Sequence, residues 1–135
     1  MLILKKILIS VTITIMVLLI NGCVFQETVG EHVLALKQDV KGNYYLRSKK
    51  YQEGITAFNK ETMLNPDSAE AHYYLGRFQL ATDNYDIALE HLKKAVQLSP
   101  DEADYHFWLG VAYGVKKEAK LERKCYLNAL ELDKN

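Results

Sequence analysis

From Tyr85 onward the apolar positions keep to one side of a helix. Tyr85, Ala88, Leu89, Leu92, Ala95 and Val96 stand at offsets 0, 3, 4, 7, 10 and 11, which predicts an amphipathic helix with one buried stripe. Just before it, His72, Leu75, Gly76 and Gln79 trace one face of another helix. Asp83-Asn84 between the two supplies a turn and a helix start. Pro100 closes the pair, because it lacks an amide hydrogen and biases Ser99 away from helix. Upstream, from Glu31, the residues Val33, Leu34, Leu36, Val40, Tyr44 and Tyr45 recur at three- and four-residue steps, predicting helix again. Ile7 to Ile20 differs: it is apolar throughout except for Ser10, Thr12 and Thr14, with no polar face.

The helical pattern is written more than once. Ala69-Glu70-Ala71-His72-Tyr73-Tyr74-Leu75-Gly76 returns 34 residues later as Ala103-Asp104-Tyr105-His106-Phe107-Trp108-Leu109-Gly110. Ala95 and Leu98 return as Ala129 and Leu132. Carried backward, the frame aligns Gly42 with Gly76, Tyr51 with Tyr85, Phe58 with Leu92, and Pro66-Asp67 with Pro100-Asp101. A fixed period of this size signals small units, each too thin to bury its apolar side alone, stacked into an array. The boundaries are then 35–68, 69–102 and 103–135. The first unit carries Lys41 and Glu61 where the others have Leu and Ala, as expected at an uncovered terminal face. Asp67 with Glu70, and Asp101 with Asp104, have the spacing of a cap and its third helical residue. Nine aromatic residues fall between Tyr73 and Tyr126, which places the densest packing in the second and third units.

This pattern resembles the tetratricopeptide repeat (TPR). Leu75-Gly76, Tyr85, Ala88, Ala95 and Pro100 stand where that family expects them, and Leu109-Gly110, Tyr113 and Ala129 repeat the match. The third unit departs at Ala119, Glu122 and Lys134, where tyrosine, alanine and proline are usual. The resemblance implies an all-α fold: an α-solenoid of three helix-turn-helix hairpins after an N-terminal signal helix. It also implies that the first helices line a concave surface. Carried over by position, the residues facing it are Asp39, Asn43 and Leu46, then Tyr73, Arg77 and Leu80, then Asp104, Phe107 and Val111. Of these, Asn43, Tyr73, Arg77, Leu80, Phe107 and Val111 are the candidate peptide-binding set. Two aromatics near an arginine suit a peptide with an apolar anchor and an acidic group. The lysine and asparagine set with which chaperone-binding relatives clamp a terminal carboxylate is incomplete here.

The N-terminal run changes the address. Lys5 and Lys6 precede fourteen residues, Ile7 to Ile20, which is short for a bilayer span but suits a secretory signal. Ile20-Asn21-Gly22-Cys23 resembles a bacterial lipobox. That resemblance implies cleavage between Gly22 and Cys23, lipid on the Cys23 sulfur and an acylated new N-terminus. Residues 1–22 are then the signal peptide and 23–34 the lipidated cysteine and its tether. An uncleaved amphiphilic anchor is the alternative. Either way the folded part lies outside the cytoplasm; Val24 after the cysteine implies the outer membrane, facing the periplasm, where two membranes exist.

Charge and chemistry exclude more than they add. Removing residues 1–22 takes away Lys5 and Lys6 and leaves 15 basic against 17 acidic side chains, so no basic surface for nucleic acid is expected. His72 and His106 sit 34 residues apart on separate units, without i, i+4 spacing or a Cys-x-x-Cys to join them. They are expected to fill a packing slot, with a metal or catalytic role as the rival. Cys125, the one thiol besides Cys23, is expected to be a small buried hydrophobe. No serine elbow or phosphate loop is present, so no enzyme and no cofactor beyond the covalent lipid are expected.

The function expected is therefore a membrane-anchored scaffold binding another envelope protein or peptide. Exported lipoproteins with such repeats are similar in plan to pilotins of type IV pili and to accessory factors of outer-membrane assembly, which implies work on an envelope complex or pilus. Three alternatives stay open: self-association through the uncapped last repeat, a fragment of a larger TPR protein, and an accessory subunit of a periplasmic enzyme.

Overall fold

The structure is a computed structural model that describes residues 38–134. The signal peptide, Cys23, the tether and the start of the first unit lie outside the described residues. Those described form six helices and no strand: α1 (Gln38–Arg47), α2 (Tyr51–Leu64), α3 (Ala69–Ala81), α4 (Tyr85–Leu98), α5 (Ala103–Val115) and α6 (Ala119–Leu132). They pair as the hairpins α1–α2, α3–α4 and α5–α6, an all-α TPR-like solenoid.

Each hairpin turns by the same device. Lys49, Asp83 and Lys117 have φ of 55°, 62° and 61°, and they stand one repeat apart. In the middle turn the Asp83 amide donates to the Leu80 carbonyl and the Asn84 amide to the Gln79 carbonyl, at 3.2 and 2.9 Å. The same two bonds recur around Lys49-Lys50 and Lys117-Glu118. A left-handed residue there lets the chain satisfy the last carbonyls of the first helix before the second begins.

The helix starts differ from the expected caps. Ser68, not Asp67, caps α3, its hydroxyl accepting from the Ala71 amide at 3.2 Å. Asp67 instead lies 3.9 Å from the Lys94 ammonium. Before α5 the cap position is Glu102, with no side-chain bond. Asn84 precedes α4, but its amide donates to Gln79 and Thr82 rather than to the helix. The histidines secure the corners: His72 Nε2 lies 3.0 Å from the Pro66 carbonyl, and His106 Nε2 lies 2.8 Å from that of Pro100.

The centre of the core is one hairpin earlier than aromatic density implies. Phe58, Phe78, Leu75 and Leu92 are the largest fully buried side chains. Phe58 packs its ring 5.2 Å from Tyr74 and 5.6 Å from Phe78, joining α2 to α3. Phe107 and Leu130 of the third hairpin remain exposed. The middle hairpin has neighbours on both sides, and that decides where aromatics are buried.

Two departures from the repeat have local compensations. Lys41 is not at an open face: it is buried, with its ammonium 5.4 Å above the Phe58 ring, where the aromatic face attracts the charge. Glu122 stands where the middle hairpin has Ala88, and Gly114 where it has Leu80. A Cβ on Gly114 would lie 2.8 Å from Glu122 Oε1. The large and small partners have exchanged helices.

Candidate functional site

A groove of about 310 Å³ crosses the first helices of all three hairpins. Leu46 of α1, Arg77 and Leu80 of α3, and Trp108, Val111 and Val115 of α5 line it, with Tyr51 and Tyr85 from the starts of α2 and α4. The repeat explains the convergence, since equivalent positions on α1, α3 and α5 follow one another across the stack.

Arg77 is the centre of the groove. Its guanidinium carbon lies 4.3 Å from the centre of the Trp108 ring and 5.2 Å from that of Tyr73. Nη1 donates to the Tyr73 hydroxyl at 2.9 Å. Nε is buried without a hydrogen-bond partner, and among the described residues no carboxylate pairs with this side chain. The aromatic faces hold the cation in place without neutralising it. A guanidinium so fixed is a preorganised donor for a carboxylate, flanked by aliphatic walls.

The structure separates the candidate set. Arg77, Leu80 and Val111 share the groove, together with Leu46. Tyr73 is 6% exposed; its ring stacks on Tyr105 of the next hairpin at 4.7 Å, so it positions Arg77 from beneath. Burial raises the pKa of Tyr73, partly offset by Arg77, and pushes Tyr105 up to about 12; both phenols stay protonated and neutral. Phe107 opens on a different surface, a groove of about 370 Å³ with Asp104, Tyr126, Ala129, Leu130 and Asp133. Asn43 is exposed on α1 and lines neither groove. Trp108, outside the position-based set, completes the groove; its place beside Phe107 in the repeated aromatic pair is the mark it leaves in the sequence.

The histidines do not converge as a metal set. His72 Nδ1 lies 3.0 Å from Nδ1 of His91, within the same hairpin, while His106 engages Pro100. Burial first, and then the charge of His72, lowers the pKa of His91. Among the described residues no three His, Cys, Asp or Glu side chains are placed to hold an ion. Cys125 is buried, and burial raises its thiol pKa.

Residues 80–115 match the family model of the TPR repeat. No curated protein sequence matches the chain. Among solved structures, the chain is similar to MamA of Desulfovibrio magneticus RS-1 from position 41 to its end, at 27% identity and a TM-score of 0.65. The match covers 72% of this chain and 55% of that one, so the chain spans about half the length of the MamA structure. It is also similar to the first TPR of Spaghetti (RPAP3) bound to the HSP90 peptide SRMEEVD, at 22% identity and a TM-score of 0.67. There the match covers 73% of this chain and 78% of that one. The second TPR of Spaghetti, bound to the same peptide, matches at 16% identity and a TM-score of 0.66, covering 70% and 88%. At these identities the Spaghetti matches speak for the fold alone.

Proposed function

We propose that this chain is a lipid-anchored, extracytoplasmic TPR scaffold that holds another envelope protein through the groove around Arg77. The observation that carries the binding surface is a guanidinium with no carboxylate partner among the described residues, pinned between Trp108 and Tyr73 and walled by Leu46, Leu80 and Val111. A guanidinium held on aromatic faces with no carboxylate partner keeps its charge for an incoming acidic group, and Leu46, Leu80 and Val111 offer that group's neighbours apolar walls. The segment bound is therefore acidic with aliphatic neighbours, and SRMEEVD on the similar Spaghetti structures is itself an acidic peptide. The address rests on the lipobox resemblance of Ile20 to Cys23 and on the apolar run before it. Two acyl chains or more, at about 0.8 kcal/mol per buried methylene, keep so small a domain on a membrane.

One experiment tests both halves. The full chain is expressed with a C-terminal tag, its membranes are washed with salt, and detergent extracts are captured. A specific envelope protein is expected to be retained by the unaltered chain and released by Arg77→Glu. Cys23→Ser is expected to lose incorporated palmitate and leave the salt-washed membrane. Retention unchanged by Arg77→Glu removes the groove assignment, and palmitate that persists in Cys23→Ser removes the anchor.

A further inference from the structure

We propose that the outer face of α5–α6 seats helix α1 of a second copy of this chain, head to tail. Large apolar side chains are exposed at both ends of the described array: Val40 (47%) and Tyr44 on α1, and Phe107, Leu127 and Leu130 (58%) on the third hairpin. On the middle hairpin Ile87 alone has that character among the described residues.

The repeat identifies what each end accepts. Helix α5 lies on the second hairpin through Tyr105 against Tyr73 and Trp108 against Arg77. Tyr73, Leu92 and Ala95 on that hairpin are buried. One period on, the same positions are Phe107, Tyr126 and Ala129, and these line the groove of about 370 Å³. The groove thus continues an interface already built once inside the chain. It is the seat of a helix of the α5 kind. Helix α1 is that element two periods earlier, and its Val40 and Tyr44 correspond to Trp108, which packs on Arg77 of the preceding hairpin, and to the fully buried Ala112.

Charge selects the orientation. The charged residues lining the groove are Asp104 and Asp133, so two such faces meeting each other would set acid against acid. The outward row of α1, Val40, Tyr44 and Arg47, contains no acid and ends in a base. Each copy would then present one donor end and one acceptor end, a heterologous contact that extends rather than closes.

Sedimentation of the full chain in detergent micelles, with micelle mass subtracted, tests this. The unaltered chain is expected to form a concentration-dependent series beyond the dimer. Val40→Glu and Leu130→Glu, both at exposed positions, are each expected to be monomeric with unchanged helical circular dichroism. An equimolar mixture of the two is expected to give one discrete heterodimer, because one intact α1 meets one intact groove. A monomer at every concentration, assembly that survives either substitution, or a mixture that stays monomeric would each overturn the proposal.

Discussion

The middle and last hairpins are built on one frame and differ in what leans on them. At one position the middle hairpin has Tyr73, 6% exposed, and the last has Phe107, 45% exposed. At another, Leu92 is fully buried while Tyr126 is half-buried and lines an open groove. Polarity does not explain the first pair, because the more apolar side chain, Phe107, is the more exposed one. Burial in a stacked array is a property of the junction, not of the residue. Among the described residues, stability is therefore concentrated where a hairpin has two neighbours, and the available surface where it has one.

The largest test of that difference substitutes the matched aromatics. Tyr73→Ala opens a hole under Tyr105 and removes the hydroxyl that receives Arg77; loss of a buried aromatic costs about 3–5 kcal/mol. Phe107→Ala removes a half-solvated ring that touches Trp108 and Tyr126, and by the area left to bury it costs about 1 kcal/mol. Urea denaturation of both variants at low protein concentration measures the gap. Equal losses would contradict an asymmetric stack. A cost for Phe107→Ala that grows with concentration would mark the ring as covered by another copy.

A smaller contrast comes from two glycines at the same repeat position. A Cβ on Gly76 would stand 2.5 Å from Leu92 Cγ and 3.3 Å from the Ala88 carbonyl oxygen, inside the packed hairpin. Gly76→Ala is expected to lose stability, since overpacking costs about 1–3 kcal/mol against about 1 kcal/mol returned by helix propensity. On Gly110 the Cβ would meet the Tyr126 ring at 2.6 Å, but that ring borders open space and can swing away. Gly110→Ala is expected to be neutral or stabilising. Thermal midpoints of the two variants decide it; destabilisation of equal size would show that the third hairpin is packed as rigidly as the second.

Much of this was legible because the period is strict. The hairpin boundaries follow from matching Pro66 with Pro100 and Tyr51 with Tyr85, and the helices begin and end close to those marks. What escaped depends on neighbours that a position number does not carry. Tyr73 occupies a place that points to the concave side in the repeat family, yet Tyr105 lies across it and buries it. Phe107 has no following hairpin among the described residues and faces a separate groove. The left-handed turns were illegible for another reason. Lys49 and Lys117 occupy a conformation for which glycine is the usual signal, and they do so because the hairpin geometry imposes it. Proline carbonyls as partners for His72 and His106 likewise leave no mark on apolar spacing.

The smallest contrast is in how the two hairpins respond to acid. In the middle hairpin His72 faces His91 across 3.0 Å between Nδ1 atoms; in the last, His106 keeps its place but Cys125 stands where His91 would be. Two imidazoles joined through the same nitrogen share one proton between those atoms, so both cannot be charged without breaking the bond. His91 is lowered from 6.5 by burial and then by His72. The unfolded chain thus takes up this proton first as pH falls. The stability concerned is whole above about pH 6.5 and is lost progressively as pH falls toward the lowered folded value. Glu70, raised from 4.5 by burial and by Asp39 and Glu61, works in the opposite sense, since its stability falls as pH rises. For that reason the measurement is the difference in pH slope between the unaltered chain and His91→Cys, which installs the residue of the last hairpin. Thermal midpoints between pH 7.5 and 5.5 are expected to fall less steeply in the variant. Parallel slopes would mean that the pair takes up its second proton without cost, and that the acid response of the two hairpins is the same.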